Sequence, residues 1–143
     1  MTSNLNPLIS IITVVYNGEK FIESTIKSVI SQNYKNIEYI IIDGASTDGT
    51  IEVIKKYEND ISYWISEKDN GISDAFNKGI KRATGDLIGI INADDFYNDN
   101  ILELVAKNYD RSIDIYFGSI IKLNEDSSVR RFESSKNALQ SVD

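Results

Sequence analysis

Leu8-Ile-Ser-Ile-Ile-Thr-Val-Val15 is short, β-branched and nearly all apolar. A half-exposed strand would alternate apolar with polar residues, so this run reads as a strand buried on both faces. Tyr16-Asn17-Gly18 breaks it. The spacing then becomes helical over residues 19–32, with Phe21, Ile22, Thr25, Ile26, Val29 and Ile30 on one face. Further strands are expected over 37–42, 61–66 and 87–91, and further helices over 50–57, 72–83 and 100–109. In the 72–83 helix, Ile72, Ala75, Phe76, Gly79, Ile80 and Ala83 share a side, and Gly85 reads as its C-terminal stop. Residues 113–123 read as strand material, 124–128 as a turn, 129–132 as a short strand, and the remainder as polar and weakly patterned. Strands alternating with helices predict an α/β fold, a mostly parallel central sheet covered by helices on both faces.

The chain has 143 residues, enough for one domain, so residues 1–143 are expected to form a single unit. With 41% apolar and 26% charged residues it can bury a core and stay in solution. No apolar run reaches the ~20 residues that span a bilayer. Met1-Thr-Ser-Asn-Leu-Asn-Pro7 lacks the features of a signal peptide. There is no Cys and no His, which excludes thiolate metal sites, cysteine nucleophiles, Ser-His-Asp triads and His bases. The net charge of −7 argues against nucleic acid as a partner. It suits oxygen ligands for a hard cation, although acidity serves solubility equally well.

In open α/β sheets ligands bind beyond the carboxyl ends of the strands. The exits here are Tyr16-Asn17-Gly18, Asp43-Gly44-Ala45-Ser46, Glu67-Lys68-Asp69-Asn70-Gly71 and Asn92-Ala93-Asp94-Asp95, and all but the first carry carboxylates. Asp94 and Asp95 repel each other unless a cation lies beside them, and a divalent metal holding a diphosphate is one solution. A helix cap or solvated turn is the other. Asp43 can accept from the ring N–H of a base, or start an Asx-turn. Ser46 and Thr47 read as parts of a capping segment, with Asp48 or Thr50 as the cap. Asp74 and Asn77 share a helix face. Lys78, Lys81 and Arg82 either meet phosphate or form a solvated face. Tyr16 either stacks on a base or sits at the rim. G-x-x-x-x-G-K-[ST] and G-x-G-x-x-G are both absent, so a diphosphate lacks a glycine-rich cradle and needs a metal.

Taken in order, Ser10-Ile-Ile-Thr-Val-Val-Tyr-Asn-Gly18, Ile41-Ile-Asp-Gly-Ala-Ser-Thr-Asp-Gly-Thr50, Asp69-Asn-Gly-Ile-Ser-Asp-Ala-Phe-Asn-Lys-Gly79, Ala83-Thr-Gly-Asp86 and Asn92-Ala-Asp-Asp95 resemble the family 2 glycosyltransferases. The resemblance covers residues 8–123. It implies a GT-A fold (nucleotide-diphospho-sugar transferase, Rossmann-like) and an inverting transfer from a nucleotide-diphosphate sugar, most often UDP-linked, to an acceptor hydroxyl. It places Thr13, Val15, Tyr16 and Asp43 at the uracil, with Gly44 and Ser46 beside the nucleoside. It places Asp69, Gly71 and Asp74 near the donor. Asn92-Ala93-Asp94 matches the D-x-D-type motif with Asn in its first position, which leaves Asp94 and Asp95 for Mg²⁺ or Mn²⁺. The implied acceptor is a saccharide or a lipid-linked one, as in bacterial surface polysaccharide synthesis. The implied location is the cytoplasm, with peripheral membrane association left open, as is the oligomeric state.

Family members usually run on past the metal motif, where the catalytic base lies. Here no motif supports Glu125, Asp126 or Glu133 as that base, so the chain is expected to be the donor-binding part of a longer enzyme with its base beyond Asp143. Three rivals are weighed. A nucleotidyltransferase would need an N-terminal glycine- and arginine-rich phosphate loop, which is absent. A receiver domain would need a Lys at a late strand end, and Lys122 is a poor match. A non-catalytic nucleotide-sugar-binding or assembly domain on the same scaffold is the third.

Overall fold

The computed structural model describes residues 6–116, 120–123 and 129–133. The chain forms two compact units, Met1–Lys107 and Asn108–Asp143. In the first, β1 (Ile9–Val15), β2 (Ile37–Asp43), β3 (Tyr63–Ser66) and β4 (Leu87–Asn92) form a parallel sheet in the order β3-β2-β1-β4. Between them run α1 (Ile22–Ile30), α2 (Thr50–Lys56), a 3₁₀ turn (Glu58–Asp60) and α3 (Ile72–Arg82), and α4 (Ile101–Lys107) follows β4. In the second unit β5 (Ile120–Leu123) pairs antiparallel with β6 (Val129–Glu133).

The period of two along each strand sorts the core into two layers. Ile9, Ile11 and Val15 of β1, with Tyr39 and Ile41 of β2, meet Ile22, Ile26 and Val29 of α1, Val53 and Ile54 of α2, and Leu102 of α4. Ile12 and Val14 of β1 and Ile40 and Ile42 of β2 turn the other way, against Ala75 of α3. Every residue of β1 is buried, as its composition predicts. Fully burying one such isoleucine is worth about 1.5–3 kcal/mol.

The two faces are not equally covered. α3 packs over β1 and β2. Ile88 and Ile90 of β4, in register with Ser10 and Ile12, stay 47% and 49% exposed. Ile72 and Ile80 of α3 are likewise exposed, so only part of the expected α3 stripe reaches the core. The expected sheet flanked by helices is present, and among the described residues its cover is complete at the centre and partial at β4.

Several boundaries move for local reasons. The first helix starts at Ile22 rather than 19, because the Phe21 and Ile22 N–H groups both close on the Gly18 carbonyl and the Glu19 N–H is taken by Asp48. It ends at Ile30, and Gln32 sends its side chain elsewhere. Gly85 is not a left-handed stop. The cap of α3 is Ala83, in extended conformation, and a Cβ on Gly85 would lie 2.6–2.7 Å from Ser10 Oγ and from the backbone of Leu8 and Ser10. Residues 113–116 form no strand, since the Asp110 carboxylate takes the Ser112 N–H and hydroxyl and closes a turn. The expected turn at 124–128, and with it Glu125 and Asp126, lies outside the described residues, while Glu133 ends β6.

Candidate active site

The strand exits come together as expected. A cleft of about 600 Å³ is walled by Val14 to Gly18 at the end of β1, Asn92, Ala93 and Asp94 at the end of β4, Asp69 and Gly71 before α3, and Phe21, Ile72 and Ala75 from the helices. A smaller cavity of about 260 Å³ adjoins it, lined by Tyr16, Gly44, Ala45, Lys68 and Asp69. Tyr16 and Asp69 line both. Tyr16 is 65% exposed, and its ring can present a face to a planar ligand.

Asp43 is placed differently. It has no exposed surface. Its carboxylate accepts from the Ser46 N–H at 3.0 Å, the Ser46 hydroxyl at 2.5 Å and the Ser66 hydroxyl at 2.6 Å. The Asn17 N–H in turn donates to Ser46 Oγ at 2.8 Å, and the Asn17 side chain accepts from the Thr47 N–H at 2.8 Å. Asp43 thus locks the β2 exit loop onto the β1 exit loop. Ser46 acts in that lock rather than as a helix cap. The cap position of α2 is Gly49, with no side-chain cap bond, and Asp48 just before it takes the Thr50 hydroxyl and the Thr50 N–H. The hydrogen bond from the Thr50 hydroxyl holds the Asp48 carboxyl below its ordinary range.

The locked loops carry unusual backbone. Ala45 and Asn17 sit at φ 61° and 50°. Such a conformation costs an alanine about 1–2 kcal/mol, which the three hydrogen bonds to Asp43 offset. Gly44 is needed for closeness. A Cβ there would lie 2.7 Å from Asp69 Oδ2 and 3.5 Å from the Tyr16 ring.

Thr13 is also wholly buried, its hydroxyl sharing a hydrogen bond at 3.1 Å with that of Tyr39, so its side chain is part of the core. Asp74 is not among the residues that wall the cleft. It accepts from the Asn70 N–H at 3.1 Å and lies 3.7 Å from Lys78. Lys78 also pairs with Glu67 at 2.9 Å and donates to the Lys68 carbonyl, so this lysine ties α3 to the loop before it. The guanidinium of Arg82 lies 4.5 Å from the centre of the Tyr63 ring, while Lys81 is exposed. Asp69 does face the cleft, and its Oδ1 accepts from the Gly71 N–H.

At the β4 exit, Asn92 and Asp94 line the cleft and Asp95 does not. The Asp95 carboxylate accepts from the Asn92 side chain at 3.3 Å. Among the described residues no three carboxylates gather as a ready-made metal cage. The donors present are hard oxygens, the type Mg²⁺ and Mn²⁺ take. Asp94 with the Asn92 carbonyl oxygen therefore fits a cation that receives the rest of its shell from phosphate oxygens and water.

Sequence reasoning missed Val14, Phe21, Ile72 and Ala75 as wall residues, and it named Asn17, Gly18, Ala45 and Lys68 at the strand exits without giving them a role. Phe21 and Ile72 fit a helical apolar stripe and so read as core, yet they are 55% and 61% exposed at the starts of their helices.

The parallel α/β sheet, with its cleft at the carboxyl edge and acidic exits around it, shares the GT-A nucleotide-diphospho-sugar transferase scaffold of the solved structures that superpose on it. The chain belongs to glycosyl transferase family 2, whose family model matches residues 10–140. It is 36% identical over 104 residues to TuaG of Bacillus subtilis (strain 168), a candidate teichuronic acid biosynthesis glycosyltransferase, covering 71% of this chain and 41% of that protein. An uncharacterized glycosyltransferase of Haemophilus influenzae is 39% identical over 100 residues, 68% of this chain and 40% of that protein. Among solved structures, S. aureus TarS 1-349 in complex with UDP-GlcNAc superposes with a TM-score of 0.64 at 27% identity, over 69% of this chain and 30% of that one. The mannosyltransferase PcManGT of Pyrobaculum calidifontis, in complex with GDP-Man and Mn²⁺, gives 0.67 at 24% identity, over 79% and 34%, a likeness of fold. The chain spans about two fifths of the length of the curated relatives it matches. Among the described residues no helix is long and apolar enough to cross a membrane.

Proposed function

We propose that this chain is the donor-binding part of an inverting glycosyltransferase. It takes a sugar from a nucleotide-diphosphate donor, a UDP-sugar, to a hydroxyl of a saccharide or lipid-linked acceptor in surface polysaccharide synthesis. One observation carries the reading: a single cleft brings Tyr16, Asp69, Asn92 and Asp94 together at the carboxyl edge of the sheet. The family match and the relatives' names support it.

In this reading the base stacks on Tyr16 in the smaller cavity, whose volume suits a pyrimidine, with Gly44 and Ala45 as its floor. Asp43 acts from behind that floor by fixing its shape. Asp69 lies where the two cavities join and meets the ribose. Asn92 and Asp94 hold a divalent cation, Mg²⁺ or Mn²⁺, against the diphosphate. When bound, such a cation supplies positive charge to the leaving diphosphate. The acceptor oxygen attacks the anomeric carbon from the face opposite the diphosphate, and a carboxylate base takes its proton. We place that base and the acceptor side in further residues, since the relatives are more than twice the length matched here. Donor chemistry of this kind belongs on the cytoplasmic side of the membrane.

Calorimetry with UDP, with and without Mn²⁺, tests the reading. Metal-dependent binding that disappears in Asp94→Ala supports it. No binding, or binding indifferent to both metal and Asp94, overturns it. The alternative is a non-catalytic nucleotide-sugar-binding domain on the same scaffold. Release of UDP from UDP-sugars by the full-length protein separates the two.

A further inference from the structure

The segment 93–100 carries Asp94 yet contains no helix or strand. Its backbone is held instead by side chains of α1. Thr25, wholly buried, directs its hydroxyl at two carbonyls at once, Ala93 at 2.8 Å and Asp95 at 2.6 Å. One turn on, Ser28 Oγ accepts the Tyr97 N–H at 3.1 Å. Another turn on, the buried Gln32 side chain donates to the Asn98 carbonyl at 2.9 Å and accepts the Leu102 N–H at 3.2 Å. Thr25 and Ser28 share a face of α1, beside the apolar stripe that fixes it to the sheet, and Gln32 follows just past the helix end.

We infer that Thr25, backed by Ser28 and Gln32, is the positioning residue that sets Asp94 at the cleft. The inference rests on the donor-binding reading above and extends it to residues that do not line the cleft. The geometry is specific to Asp94. The two carbonyls held by Thr25 flank it on either side, while its own carboxylate is left to the cleft. A hydroxyl has one proton, so the two carbonyls share it in a three-centre bond. Few main-chain bonds hold this segment apart from Asp95 N–H to the Asn92 carbonyl and Leu104 N–H to the Asn100 carbonyl. Removing the hydroxyl takes the shared donor from two part-buried carbonyls and frees the segment on either side of Asp94 to shift.

Thr25→Val keeps the shape and removes the hydroxyl, whereas Thr25→Ser keeps the hydroxyl. The expected result has two parts. Amide hydrogen exchange at 93–98 speeds up about tenfold in Thr25→Val while β1 is unchanged, and Thr25→Ser restores it. Mn²⁺-dependent UDP affinity falls about tenfold in Thr25→Val, and UDP affinity without metal stays within about twofold. A uniform rise in exchange over the whole unit, or equal losses with and without metal, would show a merely structural threonine and overturn the inference. So would a Thr25→Val protein with normal exchange and affinity. If wild-type protein binds no UDP, the donor reading fails, and the exchange comparison alone still decides whether Thr25 holds the Asp94 segment. If Thr25→Val does not fold, Ser28→Ala, which removes the acceptor of the Tyr97 N–H, carries the same comparison.

Discussion

The β2 exit and the β4 exit each place an aspartate at the carboxyl edge of the same sheet, and they are built in opposite ways. At β2 the side chain holds the loop. Asp43 is buried, and the Ser46 N–H, Ser46 hydroxyl and Ser66 hydroxyl all converge on its carboxylate. At β4 the loop holds the side chain. The backbone around Asp94 is fastened from α1, and the carboxylate is left in the cleft wall. One carboxylate is scaffold and the other is available to a ligand. The difference lies in where the stabilising hydrogen bonds come from, and both loops need them because neither has a ladder of its own.

The largest expected effect separates the two aspartates. Asp43→Ala removes the acceptor of the Ser46 N–H and of the Ser46 and Ser66 hydroxyls and should cost roughly 3 kcal/mol in urea unfolding. Asp94→Ala should leave stability within about 0.5 kcal/mol. It should also weaken Mn²⁺-dependent UDP binding on the order of 100-fold, the equivalent of about 3 kcal/mol. Equal loss of stability in both variants would erase the contrast.

Gly44→Ala probes the place where the locked loop meets the cleft. The new Cβ would press on Asp69 Oδ2, the movable end of a side chain. UDP affinity should fall about tenfold, equivalent to about 1.4 kcal/mol, with a melting temperature close to wild type. A large drop in melting temperature with unchanged affinity would mean that the closeness serves packing alone.

Glu38 extends the comparison to the opposite edge of the sheet, where a carboxylate is locked much as Asp43 is. It accepts from the Ser10 hydroxyl and from the Thr84 N–H and hydroxyl. Partial burial pushes its carboxyl upward, but those hydrogen bonds outweigh it, so the group lies below its ordinary value of 4.5. A depressed folded-state value means the contribution is complete above the ordinary value and lost as pH falls through the folded one. Glu38→Gln should therefore be less stable than wild type at about pH 7, with the gap closing as pH falls through the lowered value of the Glu38 carboxyl. A gap that is constant with pH would rule out the ionised form as the stabilising one.

The smallest effect is at Ala45. Ala45→Gly relieves a left-handed alanine worth about 1 kcal/mol and adds about 0.5 kcal/mol of unfolded-state freedom. The net gain, roughly 0.5 kcal/mol, should appear as a small rise in melting temperature. A fall would show that this backbone is not strained.

The centre of the sheet was legible because β1 states its burial in composition alone, and the parallel direction of the strands, though not their order, followed from alternation. The exits were legible too, because Gly, Asn and Asp punctuate them. What a residue type cannot state is direction. Asp43 and Asp94 look alike in a sequence, and only Ser46 of the β2 exit loop and Ser66 at the end of β3 turn one of them inward. Thr25 and Gln32 read as helix residues of no special kind, since their partners lie 66 to 70 positions away. Phe21 and Ile72 carried the right periodicity for core, but they stand at helix ends that overhang the cleft.

The half-covered β4 has a consequence for handling the molecule. It is the outer strand of the sheet among the described residues, and Ile88 and Ile90 stand exposed along it. A strand with a free row of amides and carbonyls and an oily flank recruits any extended chain it meets. Yield in concentrated solution should thus depend more on this strip than on the melting point. Ile88→Lys, a charge placed where nature commonly guards such borders, should raise the concentration at which light scattering first appears.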